Sequence, residues 1–537
     1  MEANPETLKP SNSETLKPRP MTPKTLLLAL FSLLLPFASM AQGTIESENC
    51  TSIIVGKAAS VDGSTMTSHS CDSNTDRTWI NLVPHRTWPA GSSCPVYLEP
   101  KETKRPDDPD RIETGTIPQV AQTYSYINTA YPVMNEYQLA IGETTFGGKR
   151  EMHSDKGILD CPELYRLVLE RAKTCREAIR IIDRLTKEYG YNDYGECFTF
   201  ADPDETWHFE ILGPGKGNMG AVWAAVRIPD DEVGVSANAS RIRTLDLNDP
   251  DHYMASENVF SLAEKLGFYD PAEGKPFEFC YAYADRNSMA CRRREWRVLS
   301  LVAPSLKLDP NAENYPLSVR AEKKISVKDM LDMFRNYYQD TPFDMTNGLI
   351  AFGRDGKPAK SPVANPFMSG DLRNLLKVPY ERSIACSRAT YVQVTQSRSW
   401  LPDPIGGVVW LGYDNPVLTP HTPFYCGITR MPDSYMVDGR RKFNRESAWW
   451  AFRQVSQLCM MRYQPMSKEV ETVWGEIENK AFDNQGSFEK EMADLYKKDP
   501  QKVREELTRY SVGIAEGAVD RYWKLVDELW GKYTNSF

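Results

Sequence analysis

The sequence predicts an α+β fold, and three observations carry that expectation. Short alternating or apolar runs bounded by glycine, proline and asparagine recur between residues 50 and 445, the pattern of many brief, mostly antiparallel strands. Long helical periodicity is rare in that stretch and dominates from residue 446 to the end. No phosphate loop, zinc signature or solenoid period interrupts either region.

At 537 residues the chain can bury a large core and has the length for two or more domains. Its net charge of -9 is spread over interspersed signs, which leaves no basic face for nucleic acid. Residues 1 to 20 are polar and proline-rich, repeat Glu-Thr-Leu-Lys-Pro, and are expected to be a disordered extension. Met21 offers an alternative start. The apolar run from Leu26 to Ala38 follows Lys24 and ends in Ser39-Met40-Ala41, the order of a signal peptide spanning 21 to 41. It is too short, and broken by Pro36, for a stable membrane span. The expected destination is therefore outside the cytoplasm, periplasm or medium. Residues 42 to 49 would then form a pro-segment.

The working end of the chain is expected at the Asn49-Cys50 bond. Cutting it gives Cys50 a thiol and a free α-amine, whose ordinary pKa of about 7.7 to 8.0 suits a general base near neutrality. Residues Cys50 to Lys57 are strand-like, and Val61-Asp62-Gly63 reads as a three-residue hairpin loop with Gly63 left-handed. That loop would pair Ser60 with Ser64 and Ser52 with Asp72. Cys50, Ser52 and Asp72 would then share a face, with Asp72 placed to hold the α-amine.

The rest follows in order. Residues 78 to 118 are loop-rich, and Val120 to Ile127 alternates like a strand. Met134 to Gly148 is a strand ending in Glu143, Thr144 and Thr145. Asp160 to Gly190 reads as one amphipathic helix, capped by Asp160 and Glu163 and ended by Gly190. Two strands flank Asp202-Pro203-Asp204, another runs from Gly220 to Ile228, and Gly234 to Ile242 places Asn238 at a strand end. The basic run Cys291 to Arg297 reads as a salt-bridged surface or interface. A helix is expected near Val327 to Tyr338, and strands in the block from Glu381 to Trp410, which contains Arg388. Residues 446 to 537 form a helical region broken at Asp499-Pro500. Eleven cysteines is an odd count, with no metal spacing, and buried free thiols are the expected state. The six histidines, among them His69, form no motif and are expected to be structural.

In sequence, the head Cys50-Thr51-Ser52-Ile53-Ile54-Val55-Gly56-Lys57, the Asp62-Gly63-Ser64-Thr65 turn and the later matches to about Phe452 resemble the dipeptidase A-type N-terminal-nucleophile cysteine peptidases, relatives of penicillin V acylase and bile salt hydrolase. That resemblance implies an Ntn-hydrolase αββα four-layer sandwich over 50 to 445, with the helical region added behind it. It implies Cys50 as nucleophile, Asn238 as oxyanion donor, and Arg388 as the arginine beside the nucleophile. Glu143, Thr144 and Thr145 fall on the substrate wall, where the acylases carry asparagine, and a carboxylate there suits a substrate ammonium. The arginine that the acylases place before their aspartate is not evident, since Ser68-His69-Ser70-Cys71 fills that stretch. The implied activity is hydrolysis of small peptides with no cofactor and no metal. A non-peptide acylase and a secreted binding protein without turnover stay open, as does self-association into a homo-oligomer.

Overall fold

The computed structural model describes residues 50–73, 76–98, 112–285, 288–440 and 442–534. The expected signal peptide and pro-segment, with Asn49 and Asn74, lie outside the described residues.

Strands β1 (Ser52–Val55) and β2 (Ser68–Cys71) open the chain, each wholly buried. The antiparallel strands β3 (Asn81–Val83), β4 (Tyr126–Asn128), β5 (Met134–Asn135), β6 (Ala140–Gly147), β7 (Gly195–Ala201), β8 (Thr206–Leu212) and β9 (Val222–Arg227) follow. They pair in the larger sheet, each beside the strand next to it in this order. β10 (Glu232–Ser236) leaves for β1, and β11 (Tyr253–Ala255) closes the larger sheet against β9. Every residue of β7 and β8 is buried, which is why Cys197-Phe198-Thr199-Phe200 and Trp207-His208-Phe209 show no clean alternation. Their hairpin is made by Asp202, whose carboxylate accepts from the backbone N–H of Asp204 and Glu205.

β10 pairs with β1 on one side and with β12 (Ser318–Arg320) on the other. β2 pairs with β13 (Tyr391–Gln396), which pairs with β14 (Val408–Tyr413), which pairs with β15 (Thr422–Tyr425). Isolated bridges from Thr51 to Ser70 and from Val55 to Met66 join these two groups. β1 and β2 lie against β6, and β1 also against β7. The approach is closest at Gly142, where a Cβ would sit 2.1 Å from the Ser68 carbonyl and 2.7 Å from Ser52 Oγ. Only glycine fits between the two strands there.

The expected head hairpin has a different register. Thr51 faces Ser70, so Ser52 falls across from His69 rather than Asp72, a slip of three residues that reverses the face of every β2 side chain. Gly63 does take the left-handed conformation, at φ +84°. The residues between the strands are drawn elsewhere, Ser60 to Ile325 and Thr65 to Ser397, so the loop is longer than local turn chemistry suggests.

The single helix expected from 160 to 190 is two, α1 (Cys161–Leu169) and α2 (Cys175–Tyr189). Asp160 caps the first through Glu163 N–H, and Thr174 caps the second through Glu177 N–H. Asn135 takes the carbonyls of Leu169 and Ala172 at the break. Gly190 ends α2 as expected, and α2 packs on β8. The loop-rich stretch contains a ribbon, Ser93–Leu98 paired with Ile112–Pro118.

Helix α3 (Met289–Val302) packs on β10, and α4 (Val327–Phe334) on β13, its start fixed by a capping box of Ser326 and Asp329. The C-terminal helices are α5 (Ala448–Cys459), α6 (Tyr463–Tyr496) and α7 (Pro500–Thr534), the last starting at the proline expected to break the run. α5 packs on β14, and α6 and α7 on β15. All eleven cysteines are buried free thiols. No described helix is long and apolar enough to cross a membrane.

A buried ion pair docks α6. Glu489 accepts from Arg398 Nη1 and Nη2 at 2.7 and 2.8 Å and from the Tyr425 hydroxyl at 3.0 Å. Truncating one partner strands the other charge, so Glu489→Ala should lower unfolding free energy by about 3 to 5 kcal/mol. Urea denaturation of the two proteins measures it.

Candidate active site

The β1–β10 register sets Ser52 across from Ser236, and continued by two residues it sets Cys50 across from Asn238. The two chain segments are joined by Arg294. Its Nη1 donates to the Cys50 carbonyl at 2.6 Å and to Thr51 Oγ1 at 2.9 Å. Its Nη2 donates to the Ala237 carbonyl at 3.0 Å and to Asn238 Oδ1 at 2.9 Å. Nε donates to the Ala290 carbonyl one helical turn back. Every guanidinium N–H thus has an acceptor, which is what lets a fully buried arginine stay in place. The basic run is therefore no surface patch: on α3 Arg294 points inward to the head of β1, with Arg293 and Glu295 buried beside it.

Asn238 has φ +61°, a left-handed conformation that asparagine tolerates better than most residues. With Oδ1 committed to Arg294, its Nδ2 must point the other way, and it donates to the Thr145 carbonyl at 2.7 Å. The loop that follows is clamped by buried Glu210, which accepts from Ser240 Oγ and from the N–H groups of Arg241 and Ile242.

Asp72 is buried and bound to Arg382, and Ser70 Oγ donates to it at 3.2 Å. Burial pushes its carboxyl above the ordinary aspartate range, against the pull of the Arg382 and Arg294 guanidiniums. Arg388, the arginine expected beside the nucleophile, is half-buried with its backbone N–H on the Cys386 thiol. The guanidinium on the Cys50 carbonyl is that of Arg294, and the one on Asp72 is that of Arg382.

The place intended for Asp72, diagonal to Cys50 on β2, goes to His69. The side-chain ligand atoms of Cys50, His69 and Glu143 all lie within 4.8 Å of one another. His69 Nε2 is 3.2 Å from Glu143 Oε2, and its Nδ1 is 3.1 Å from the Tyr391 hydroxyl. The ring is wedged edge-on between Tyr131 and Tyr391. His69 is thus part of the site, contrary to the structural role expected of the histidines.

Glu143 is fully buried on β6, and Thr145 Oγ1 donates to its Oε1 at 3.1 Å. Thr144 turns the other way, its hydroxyl 2.5 Å from Ser236 Oγ, and ties β6 to β10. Glu196 stands across from Thr145 on β7. Burial, and next the Glu143 carboxylate, push Glu196 well above the ordinary glutamate range. Glu196 was not singled out in the sequence, because nothing local distinguishes a strand glutamate that points inward.

The sequence that makes these contacts resembles that of known proteins. The model of peptidase family C69 matches residues 49–476. The chain belongs to that family. Among curated relatives, a "Probable dipeptidase" of Latilactobacillus sakei is 26% identical over 78% of this chain and 82% of its own. A "Probable dipeptidase B" of Streptococcus pyogenes serotype M1 is 24% identical over 93% and 96%, and "Dipeptidase A" of Lactobacillus helveticus 24% over 91% and 98%.

Glu196 also sets a pH dependence. A carboxyl whose folded pKa is raised binds its proton more tightly in the folded chain, so stability is lost as pH rises above the ordinary glutamate range. Between about pH 5 and 8 the wild type should lose stability relative to Glu196→Gln, which keeps the protonated shape at every pH. Melting temperatures of both proteins across that range read the difference.

Proposed function

We propose that this chain is a secreted cysteine dipeptidase whose nucleophile is Cys50, exposed as an N-terminal residue by cleavage after Asn49. The observation that carries the reading is the single guanidinium that fixes the Cys50 carbonyl and the Asn238 amide together. We read the two facing groups of strands and their outer helices as the αββα sandwich of the Ntn hydrolases.

In this reading the positive Arg294 beside Cys50 favours thiolate over thiol. The thiolate attacks the scissile carbonyl carbon, and the oxyanion that forms accepts from the second Nδ2 hydrogen of Asn238 and from backbone N–H groups. The α-amine, having taken the thiol proton, returns it to the departing amine as the C–N bond breaks. Water, deprotonated by the same amine, then releases the acyl group. Asp72, neutralised in part by Arg382, holds the polar end of β2 in place and lies near enough to Arg294 for their charges to interact. Arg294 takes the role expected of Arg388. Small peptides are the substrates, and neither nucleic acid nor a membrane is a partner.

Substrate length follows from Glu143. A buried carboxylate beside His69 and Glu196 suits a ligand ammonium, which a dipeptide carries at the site and an internal peptide segment does not. Blocking that ammonium removes the charge-assisted bond it would make to the carboxylate. N-acetylated dipeptides should therefore be cleaved at least about tenfold more slowly than free ones, each lost charge-assisted bond being worth about 1.5 to 3 kcal/mol. Equal kcat/KM for the two would move Glu143 out of the substrate site and favour an acylase.

The test of the whole reading is the mature N-terminus. Intact mass and N-terminal sequencing of active protein should give Cys50 as residue one, and Cys50→Ala should have no turnover and keep the preceding residues. Full activity in protein that begins at Gln42 would sink the assignment.

A further inference from the structure

We propose that Cys50, His69 and Glu143 form a zinc(II) site that switches the enzyme off. A thiolate, an imidazole and a carboxylate are the three side chains that zinc prefers, and here they come from Cys50, two residues ahead of β1, from β2 and from β6. Tetrahedral zinc with bonds of about 2.0 to 2.1 Å to nitrogen and oxygen holds those atoms about 3.4 Å apart. His69 Nε2 and Glu143 Oε2 are already 3.2 Å apart. His69 Nε2 is fully buried and makes no hydrogen bond of acceptable geometry among the described residues.

The outer contacts are those of a metal centre. Binding through Nε2 requires the tautomer with hydrogen on Nδ1, and the Tyr391 oxygen, 3.1 Å away, is the acceptor for it. Thr145 Oγ1 holds the other oxygen of Glu143, so the ligating one is aimed at His69. Zinc takes Cys50 as thiolate, and the thiol proton passes to solvent. If the chain is cut after Asn49, the α-amine of Cys50 completes the tetrahedron by closing a five-membered ring through Sγ.

Inhibition rests on the reading of Cys50 as nucleophile; metal binding does not. A sulfur bound to zinc cannot attack a carbonyl, and the same ion covers Glu143, where the substrate ammonium would sit. Zinc is then an inhibitor competing with substrate, and chelators leave the metal-free enzyme unaffected.

The full-length secreted protein, as purified and freed of metal with EDTA, is titrated with cobalt(II) and then zinc(II). One cobalt per chain should give a thiolate-to-metal charge-transfer band that zinc abolishes, and Cys50→Ser should lack the band. With a dipeptide as substrate, zinc should stop turnover and EDTA should restore it. His69→Gln and Tyr391→Phe should raise the half-inhibiting zinc concentration at least about tenfold. Where His69→Gln has no measurable turnover, its zinc affinity is read by competition with a chromophoric chelator. A cobalt band that survives in Cys50→Ser, an unchanged zinc affinity in His69→Gln, or activation by zinc would each overturn the proposal. Cobalt binding without any dipeptide hydrolysis would uphold the site and remove only the functional reading.

Discussion

One buried guanidinium governs the geometry of this molecule. Arg294 spends all its donors on groups that no other side chain described here reaches together: two strand-end carbonyls, a hydroxyl, an amide oxygen and its own helix. A carbonyl left unpaired in such a place costs about 1 to 3 kcal/mol, so the arginine and the two chain ends need one another. Burial and the nearby Arg382 pull its pKa below the ordinary arginine range, which shows how unfavourable the placement would be without those acceptors. Lysine offers three donors around one nitrogen and cannot reproduce the planar fork.

The remaining charges arrange themselves around that centre. Asp72 and Arg382 form one set, and His69, Glu143 and Glu196 another, with the Cys50 thiol within 4.8 Å of the ligand atoms of His69 and Glu143. Neither set is tolerable alone in a dry interior, since each holds charge that only neighbours offset. Gly142 brings the strands close enough for the sets to meet. A residue with no side chain thus decides the spacing of several that have them.

Much of this was legible before the structure, and the failures share one cause. Polar positions near Cys50 were visible because they interrupt apolar runs, as at Glu143 and Asn238. Helix ends were visible where a cap sits beside an apolar stripe, yet Thr174-Cys175-Arg176-Glu177 carries such a cap inside what reads as one helix. Its message was masked by continuous apolar periodicity, and Asn135 and Asp202, distant in sequence, help stabilise the break. The β1–β2 register went wrong for the same reason, because Ile325 and Ser397 pull the connecting loop open. Arg294 was hidden in a cluster of arginines, where composition suggests solvent and only the direction of α3 decides. Arg388 stands close in sequence to Arg382, the arginine bound to Asp72, and sequence alone cannot tell which of two neighbours reaches that carboxylate.

Arg294 grips Cys50 from one side only. Its bonds go to the carbonyl of that residue and to Thr51 beyond it, all downstream of the amide that joins Cys50 to Asn49. Severing that amide would cost the strand none of these contacts. A chain built this way could be opened immediately ahead of Cys50 without setting that residue loose, so the same anchor would serve a precursor and its product alike.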